Sequence, residues 1–440
     1  MTFLAISAAA CRDARESLPM VLVVVDTLRA DHLGLYGYRR PTSPELDRWA
    51  QKGAVFENAY ATSPWTLASF GSLYTGRLPE RHRAGFKFGR RRFSSLDPAV
   101  PTLAELFAAE GHTTASIITN VYLGPTFGLD RGFETFVDLA GDATEPPQTA
   151  DVVVDRALAW LAERRPDEPF LLSIHLLDPH LPYGAPPPER GRFTRGYAGA
   201  LQLPFDRLGQ VRSGKLRLTE ADREFLAGAY DEEIAFVDRQ LGRLFVGLDE
   251  AGLFERGLVF FTSDHGEEFL EHGGFEHGHA MFQEVLRIPM IVWGAGIDAG
   301  RLASPVSLID ILPTLAEAAG FHVPAGVEGT SLWGALARGE DLPPGRWVAA
   351  QWTLQGPQRQ ALVAWPLKAV LNLRTGRARL FHLVDDPAER RDLAATDRDR
   401  LQELLRDLRR ILPDRRPSEG AVATLDERTE AQLRALGYLQ

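Results

Sequence analysis

Short apolar runs alternate with amphipathic stretches along the first three quarters of this chain. Runs rich in Val, Ile, Leu and Phe and bounded by turn residues are typical of buried parallel strands, and they occur at Met20–Val25, 114–119, 170–175, 258–262 and 288–293. The stretches between them have helical spacing of apolar positions, at 44–52, 103–110, 149–164, 219–248 and 309–319. Strands that alternate with helices form βαβ units, so we predict an α/β fold with a large, mostly parallel sheet sandwiched by helices.

The pattern changes after about residue 345. Short apolar segments at 361–364, 368–373 and 378–383, with a turn at 372–376, predict a small antiparallel sheet. A charged amphipathic helix is predicted over 397–411. We therefore divide the chain into an N-terminal tail (1–18), a large domain (19–345) and a C-terminal subdomain of antiparallel sheet plus helix (346–440).

The composition is that of an ordinary globular protein, with 440 residues, 45% hydrophobic and 25% charged. The formal net charge of -10 argues against nucleic acid or an anionic membrane surface as the main partner. An acidic protein that acts on an anionic substrate needs a local positive centre, and a bound metal ion would supply one.

The N-terminus has two interpretations. Cys11, the single cysteine of the chain, follows an apolar run at 3–10 that is too short to span a bilayer and lacks the basic start of a secretory signal. The run is either the remnant of a lipoprotein signal with Cys11 as the lipidated residue, or a disordered tail. The first predicts a periplasmic or cell-envelope location and the second leaves a cytoplasmic one open. No other segment has the length of a membrane helix.

Candidate metal ligands directly follow two predicted strands. Asp26 comes after the first strand, and Asp264 and His265 come after the strand at 258–262. Ligands of parallel sheets bind beyond the carboxyl ends of the strands, and a carboxylate with an imidazole suits Zn, Mn and similar ions. Each aspartate has an alternative role as a cap of the following turn, and His265 as a surface residue. The loop at 266–284, dense in Glu and His, favours the metal interpretation.

Thr66 is the candidate nucleophile. A helical pattern begins at this residue, and backbone N–H groups at a helix N-terminus favour an anion. Metal coordination would lower the hydroxyl pKa and create a nucleophile at neutral pH, whereas the alternative is a simple N-cap.

His180, beyond the strand at 170–175, is either a donor to the leaving group or a histidine in a proline-rigid turn. The basic cluster after Thr66 is either a guide for anionic substrates or a solvated charged loop; it comprises Arg77, Arg81, His82, Arg83, Lys87, Arg90, Arg91 and Arg92.

Several motifs together resemble the sulfatase family within the alkaline phosphatase superfamily. They are DTLRADHLG (26–34), TSPELD (42–47), TGRLP (75–79), RGFE (131–134), SDHGE (263–267), LRIP (286–289), DILPT (310–314) and the segment at 383–393. The resemblance implies the alkaline phosphatase/sulfatase-like fold, with 19–345 as the catalytic domain, and hydrolysis of small anionic sulfuric or phosphoric esters.

The same resemblance implies a set of site residues. A divalent metal (Mn, Zn, Ca or Mg, as one or two ions) would be held by Asp26, Asp264, His265 and the nucleophile Thr66. His180 and one histidine of the pair His277 and His279 match positions that bind the substrate or a second metal. His277 fits better, because the Gly278 that follows it resembles the Lys-Gly or His-Gly of relatives.

Two departures from the family change the expected chemistry. Sulfatases carry Cys or Ser in a C/S-x-P-x-R motif that is oxidised to formylglycine, whereas residues 66–70 here are TLASF and no such motif occurs elsewhere. Thr27 stands where the second aspartate of the usual pair is expected. Thr66 resembles the nucleophile of phosphodiesterase and phosphotransferase relatives, so we expect phosphate mono- or diesters or phosphonates to be favoured over sulfate esters. A transferase that acts on an envelope lipid or glycan and a catalytically inactive binding protein are the alternatives.

Overall fold

The computed structural model describes residues 18–89, 92–141, 148–165, 168–205, 207–413, 422–436 and 438. Cys11 and Arg90 and Arg91 of the basic cluster lie outside the described residues, as does nearly all of the predicted N-terminal tail. The lipid anchor therefore stays a prediction. Within the described ranges, no helix combines the length and the apolar character needed to cross a membrane.

The regular elements follow the predicted alternation and are numbered along the chain. The strands are β1 (Met20–Val25), β2 (Ala54–Tyr60), β3 (Lys87–Phe88), β4 (Arg92–Phe93), β5 (Thr113–Ile118), β6 (Thr135–Asp138), β7 (Phe170–Leu176), β8 (Leu258–Ser263), β9 (Glu268–Phe269), β10 (Phe275–Glu276), β11 (Arg287–Gly294), β12 (Gly300–Ser307), β13 (Val348–Gln351), β14 (Arg359–Ala364), β15 (Leu367–Asn372) and β16 (Ala378–His382). The helices are α1 (Pro44–Ala50), α2 (Thr66–Thr75), α3 (Pro79–His82), α4 (Leu103–Ala109), α5 (Ala150–Ala162), α6 (Leu208–Arg212), α7 (Glu220–Glu250), α8 (Leu253–Arg256), α9 (Gln283–Leu286), α10 (Ile311–Ala318), α11 (Trp333–Leu336), α12 (Arg398–Ile411) and α13 (Glu427–Ala435).

An eight-stranded sheet has the order β12-β2-β11-β8-β1-β7-β5-β6. Strand β1 is central and pairs in parallel with β7 and β8. The expectation that 288–293 is a parallel strand is wrong, because β11 runs antiparallel to both β2 and β8. The reason lies in the connection from β8: the N–H of Gly266, at its start, donates to the carbonyl of Val285, at its end (3.0 Å). The chain thus enters β11 at the edge where β8 stops, without a crossover.

The large sheet separates two hydrophobic cores. Side chains alternate along a strand, and in β1 the residues Met20, Leu22 and Val24 enter one core whereas Val21, Val23 and Val25 enter the other. Helices α2, α4 and α10 contribute to the first core, and α1, α5 and α7 contribute to the second. This arrangement explains why β1 is apolar at every position, and it confirms the predicted helix-covered sheet.

The C-terminal subdomain contains the predicted small antiparallel sheet and helix. Strands β13 to β16 form a four-stranded antiparallel sheet, and α12 covers it with leucines at helical spacing, namely Leu401, Leu404, Leu405 and Leu408. The final described segment does not belong to this sheet. Val422 bridges to Ser94, and α13 lies against the large domain, where Leu433 is fully buried in its core. The boundary at 345/346 stays a prediction.

Candidate active site

Four neighbouring strands of the large sheet end at one edge, and their ends assemble a polar centre. Asp26 follows β1, while Asp264 and His265 follow β8. His175 lies near the end of β7, opposite Val24 of β1, and Asn120 comes two residues after β5. Because β8, β1, β7 and β5 are consecutive in the sheet, residues that are far apart in sequence meet here.

Asp26, Asp264 and His265 form what we call the metal corner. One donor atom from each lies within 4.8 Å of the other two, and all three residues are buried. Asp26 Oδ1 and Asp264 Oδ2 are buried without a hydrogen-bond partner among the described residues. Buried carboxylate oxygens are normally paired, so two orphaned oxygens beside an imidazole fit a divalent cation, which takes oxygen and nitrogen ligands of this kind.

Electrostatics support the same interpretation. Burial raises the pKa of Asp26, but the neighbouring imidazoles of His175, His180 and His265 outweigh it, and the pKa falls to about 2. Burial and the negative charge of Asp26 raise the pKa of Asp264 well above its ordinary value. Burial lowers the pKa of His265 to about 4, which keeps the imidazole neutral and able to ligate. A cation between the carboxylates would relieve their repulsion.

A second layer orients the metal corner. The Nδ1 atom of His265 lies 3.0 Å from the carbonyl oxygen of Gly266, and since a carbonyl only accepts, Nδ1 carries the proton and Nε2 faces the corner. Asp26 Oδ2 accepts from Asn120 Nδ2 (3.0 Å) and lies 3.3 Å from His175 Nε2. Our sequence analysis did not single out Asn120 or His175 as site residues, although both lie at the ends of predicted strands.

Thr27 stands at the expected position of a second aspartate, and it contacts the metal corner through its backbone N–H. Its φ of 56° lies in the left-handed region, which is uncommon for a β-branched residue and marks local strain. In this conformation its N–H lies 3.3 Å from Asp264 Oδ1, which accepts the hydrogen bond. The main chain after Asp26 therefore positions the second carboxylate of the metal corner.

Thr66 is the first residue of α2 and is fully buried. The N-cap position belongs to Trp65, and no side chain caps the helix, so the hydroxyl of Thr66 is not used as a cap. Its Oγ1 lies 3.3 Å from Nε2 of His265. The hydroxyl is thus held at the metal corner, in front of a helix N-terminus that favours an anion.

His180 and His277 lie beside the metal corner. Their rings are 5.0 Å apart, and the His277 ring is 4.5 Å from that of His265. Nδ1 of His180 lies 2.6 Å from the carbonyl of Leu181, and Nδ1 of His277 lies 3.0 Å from a carboxylate oxygen of Glu267. Since a carbonyl only accepts, Nδ1 of His180 donates, and its Nε2 presents a lone pair in the neutral tautomer.

Two other histidines of the loop at 266–284 pair with glutamates and not with residues of the metal corner. His279 pairs with Glu268 at 2.9 Å, and His272 is 3.3 Å from Glu284. Three arginines of the basic cluster have partners outside the metal corner: Arg77 donates to the carbonyl of Ala325, Arg81 pairs with Glu328, and Arg83 pairs with Asp97. Of the two candidate histidines, His277 lies at the centre.

Tyr438 is a site residue that was not predicted from the sequence. The hydroxyl of Tyr438 lies 2.9 Å from Nε2 of His180 and 3.2 Å from Nε2 of His277. Tyr438 follows a charged amphipathic helix, and no motif or spacing indicated that its side chain reaches a site formed by residues more than 150 positions earlier.

Comparison with known proteins identifies the family. The Sulfatase family model matches residues 19–321. Arylsulfatase K of Xenopus laevis is 25% identical over 425 residues, covering 84% of this chain and 77% of the relative. Delta 4,5-hexuronate-2-O-sulfatase of Bacteroides thetaiotaomicron is 26% identical over 426 residues, covering 88% and 86%.

Solved structures share the fold. The phosphonate monoester hydrolase of Agrobacterium radiobacter superimposes with a TM-score of 0.70 at 20% identity, covering 93% of this chain and 100% of that one. The family match extends over most of the chain, and it confirms the predicted class of sulfuric or phosphoric ester hydrolase. The chain therefore belongs to the sulfatase family of the alkaline phosphatase superfamily.

Proposed function

We propose that this protein is a metal-dependent ester hydrolase that uses Thr66 as its nucleophile and favours phosphoric monoesters, diesters or phosphonates over sulfate esters. The observation that carries the proposal is the position of Thr66 Oγ1, 3.3 Å from His265 Nε2, beside two orphaned carboxylate oxygens. The residues that would hold a divalent ion are Asp26, Asp264, His265 and Thr66. Such an ion would lower the pKa of the threonine hydroxyl and neutralise charge on the ester.

The residues of the chain suit an in-line displacement. Oγ1 of Thr66 forms a bond to phosphorus or sulfur while the bond from that atom to the leaving oxygen breaks, and the proton lost by the threonine hydroxyl passes to the leaving oxygen. The N-terminus of α2 faces the negative charge that develops on the transferring group. His180 and His277 direct their Nε2 atoms to the same region, where a neutral imidazole would take the proton from the Thr66 hydroxyl and give it to the leaving oxygen. Water then hydrolyses the threonine ester and restores the hydroxyl.

The preference for phosphorus follows from the release step. A formylglycine hydrate can expel sulfate by elimination from its second hydroxyl, whereas a threonine ester has no second hydroxyl and must be attacked directly by water. Direct attack is the normal route for phosphoryl enzymes and an uncommon one for sulfuryl transfer. The phosphonate monoester hydrolase with the same fold supports phosphorus esters as substrates, and the curated sulfatases justify including sulfate esters in the test.

The test is a panel of aryl phosphate, phosphodiester, phosphonate and sulfate esters, assayed with Mn or Zn after metal analysis of the purified protein. We expect turnover of at least one phosphorus ester, loss of turnover with a chelator, and recovery when metal is returned. Activity that is indifferent to chelation would contradict the metal dependence. Hydrolysis of the aryl sulfate alone would overturn the argument from threonine.

We also infer a periplasmic or cell-envelope location, which rests on the apolar run before Cys11. Metabolic labelling with palmitate tests it, with Cys11→Ala as the control. We expect label in the natural chain and none in the variant, and an unlabelled natural chain would contradict the lipid anchor.

A further inference from the structure

The phenol of Tyr438 is buried among the candidate site residues. Its side chain is buried, with 4% of the residue exposed, and its hydroxyl reaches Nε2 of His180 (2.9 Å) and Nε2 of His277 (3.2 Å). Burial raises the pKa of this phenol well above its ordinary value, and the neighbouring side chain of Thr66 opposes the rise. One hydroxyl thus contacts both histidines that face the ester and lies near the proposed nucleophile.

The hydroxyl of Tyr438 has one proton and lies between two histidines. The carbonyl of Leu181 only accepts, so Nδ1 of His180 carries a proton and its Nε2 is an acceptor in the neutral tautomer. The phenol therefore donates to His180 Nε2. This donor can turn to an ester oxygen that enters the site, because a hydroxyl rotates about its C–O bond.

Tyr438 also borders the space outside the centre. It lines a cavity of about 460 Å³ together with polar side chains that include Lys87, Gln355 and Gln358. The residue therefore has one contact with the reacting groups and another with an open, polar cavity.

The segment that carries Tyr438 is built to hold it there. The N–H of Ala423 donates to the carbonyl of Phe93 (2.8 Å), and the N–H of Tyr438 donates to the carbonyl of Leu433 (2.8 Å). Leu433 is fully buried, and the ring of Tyr438 lies 4.8 Å from that of Tyr122 in an edge-on contact. These contacts fix the ring and aim its hydroxyl at the centre.

We propose that Tyr438 is a catalytic residue whose hydroxyl leaves one histidine when the ester binds and donates its hydrogen bond to an oxygen of the transferring group. The donor is most valuable where negative charge grows on that oxygen during displacement. This inference rests on the proposed ester hydrolase function, and it adds a donor from the C-terminal part of the chain to a site otherwise formed by the large domain.

The experiment compares Tyr438→Phe with Tyr122→Phe in the full chain. Each removes one buried hydroxyl from neighbouring rings, but the Tyr122 hydroxyl has no hydrogen-bond partner among the described residues. On the best ester of the panel, we expect Tyr438→Phe to lower kcat about 100-fold, as for loss of one donor to a developing oxyanion, with KM changed less than about threefold. Tyr122→Phe should keep kcat within about twofold, and thermal melting checks that both variants are folded.

Two results would overturn the proposal: an unchanged kcat in Tyr438→Phe, or an increase in kcat/KM, which would mean that the phenol blocks the site. If the natural chain hydrolyses none of the esters, the proposed function fails, and the inference is then tested by equilibrium dialysis with inorganic phosphate in the metal-loaded protein. We expect about tenfold weaker phosphate binding by Tyr438→Phe, and equal binding by the two proteins overturns the donor role.

Discussion

Thr66 allows the hydroxyl and the methyl group of the proposed nucleophile to be removed separately. Thr66→Val keeps the branched shape and loses the hydroxyl, whereas Thr66→Ser keeps the hydroxyl and loses the methyl. The residue is fully buried at the start of α2. Neighbouring hydroxyls cannot take its place, because Ser63 donates to the carbonyl of Trp352 (3.1 Å) and Ser69 donates to that of Ser63 (2.8 Å).

The structure sets different magnitudes for the two changes. Loss of the nucleophilic oxygen removes the covalent route, so Thr66→Val should lower kcat/KM by at least about 10³-fold, which corresponds to about 4 kcal/mol in the barrier. Thr66→Ser deletes one buried methyl group and costs about 1 kcal/mol of folding stability. Its unbranched side chain has up to three rotamers, a penalty of about 0.6 kcal/mol or threefold in rate.

Steady-state kinetics on the best ester and thermal melting measure both quantities, and intact mass after rapid acid quench detects the threonine ester. We expect the covalent adduct in the natural chain and in Thr66→Ser and none in Thr66→Val. The nucleophile assignment is refuted if Thr66→Val retains more than about a tenth of the natural kcat/KM while remaining folded. It is also refuted if Thr66→Ser loses as much activity as Thr66→Val, because the hydroxyl would then not be the decisive group.

Three further predictions follow from single contacts. His277→Ala should lower kcat/KM by about 100-fold, whereas His279→Ala, which removes the partner of Glu268 away from the centre, should change it less than about threefold; the reverse order in steady-state assays would contradict the placement of His277. Lys368→Met breaks a pair with Glu389 in which both side chains are fully buried and 2.9 Å apart, so it should destabilise the protein by about 3–5 kcal/mol in urea unfolding. Adding Glu389→Gln should recover part of this loss, since it removes the stranded charge. Burial raises the pKa of Asp238 from 3.8 to about 7; because the folded pKa is the higher one, its stabilising contribution is full below about pH 4 and is lost as pH rises through about 7. The stability difference between the natural chain and Asp238→Asn should decline over that pH range, and a constant difference would contradict the raised pKa.

Apolar runs were enough to predict the centre of the fold, but not its edges or directions. Strand β1 was predicted to its exact residues because every position is buried between two cores. Strand β2 was missed because Glu57 and Asn58 interrupt its apolar run, and it is stabilised by pairing with β11 and β12. The predicted direction of β11 was wrong because an apolar run carries no information on strand direction, which is set by the antiparallel pairing with β2 and β8.

The candidate site could be predicted where chemistry coincides with a strand end. Asp26, Asp264 and His265 had that signal, and the structure brings them together. Periodicity could not separate His277 from His279, because two residues of a loop have none that shows which side chain turns inward; His277 was favoured only because the Gly278 that follows it resembles the family pattern. Tyr438 depends wholly on tertiary packing, since its position follows from how α13 docks and not from its neighbours in sequence.

The central position of β1 has a consequence for synthesis of the chain. Both of its sheet neighbours are encoded much later: β7 begins at Phe170, 145 residues after Val25, and β8 begins at Leu258. At a translation rate of about 5–20 residues per second, β1 spends roughly 7 to 30 s outside any sheet. Its uncharged sequence, MVLVVV, is a strong aggregation segment during that interval. We therefore expect a nascent chain to bind holdase chaperones at residues 20–25, and expression yield to depend on chaperone supply more than on the stability of the finished fold.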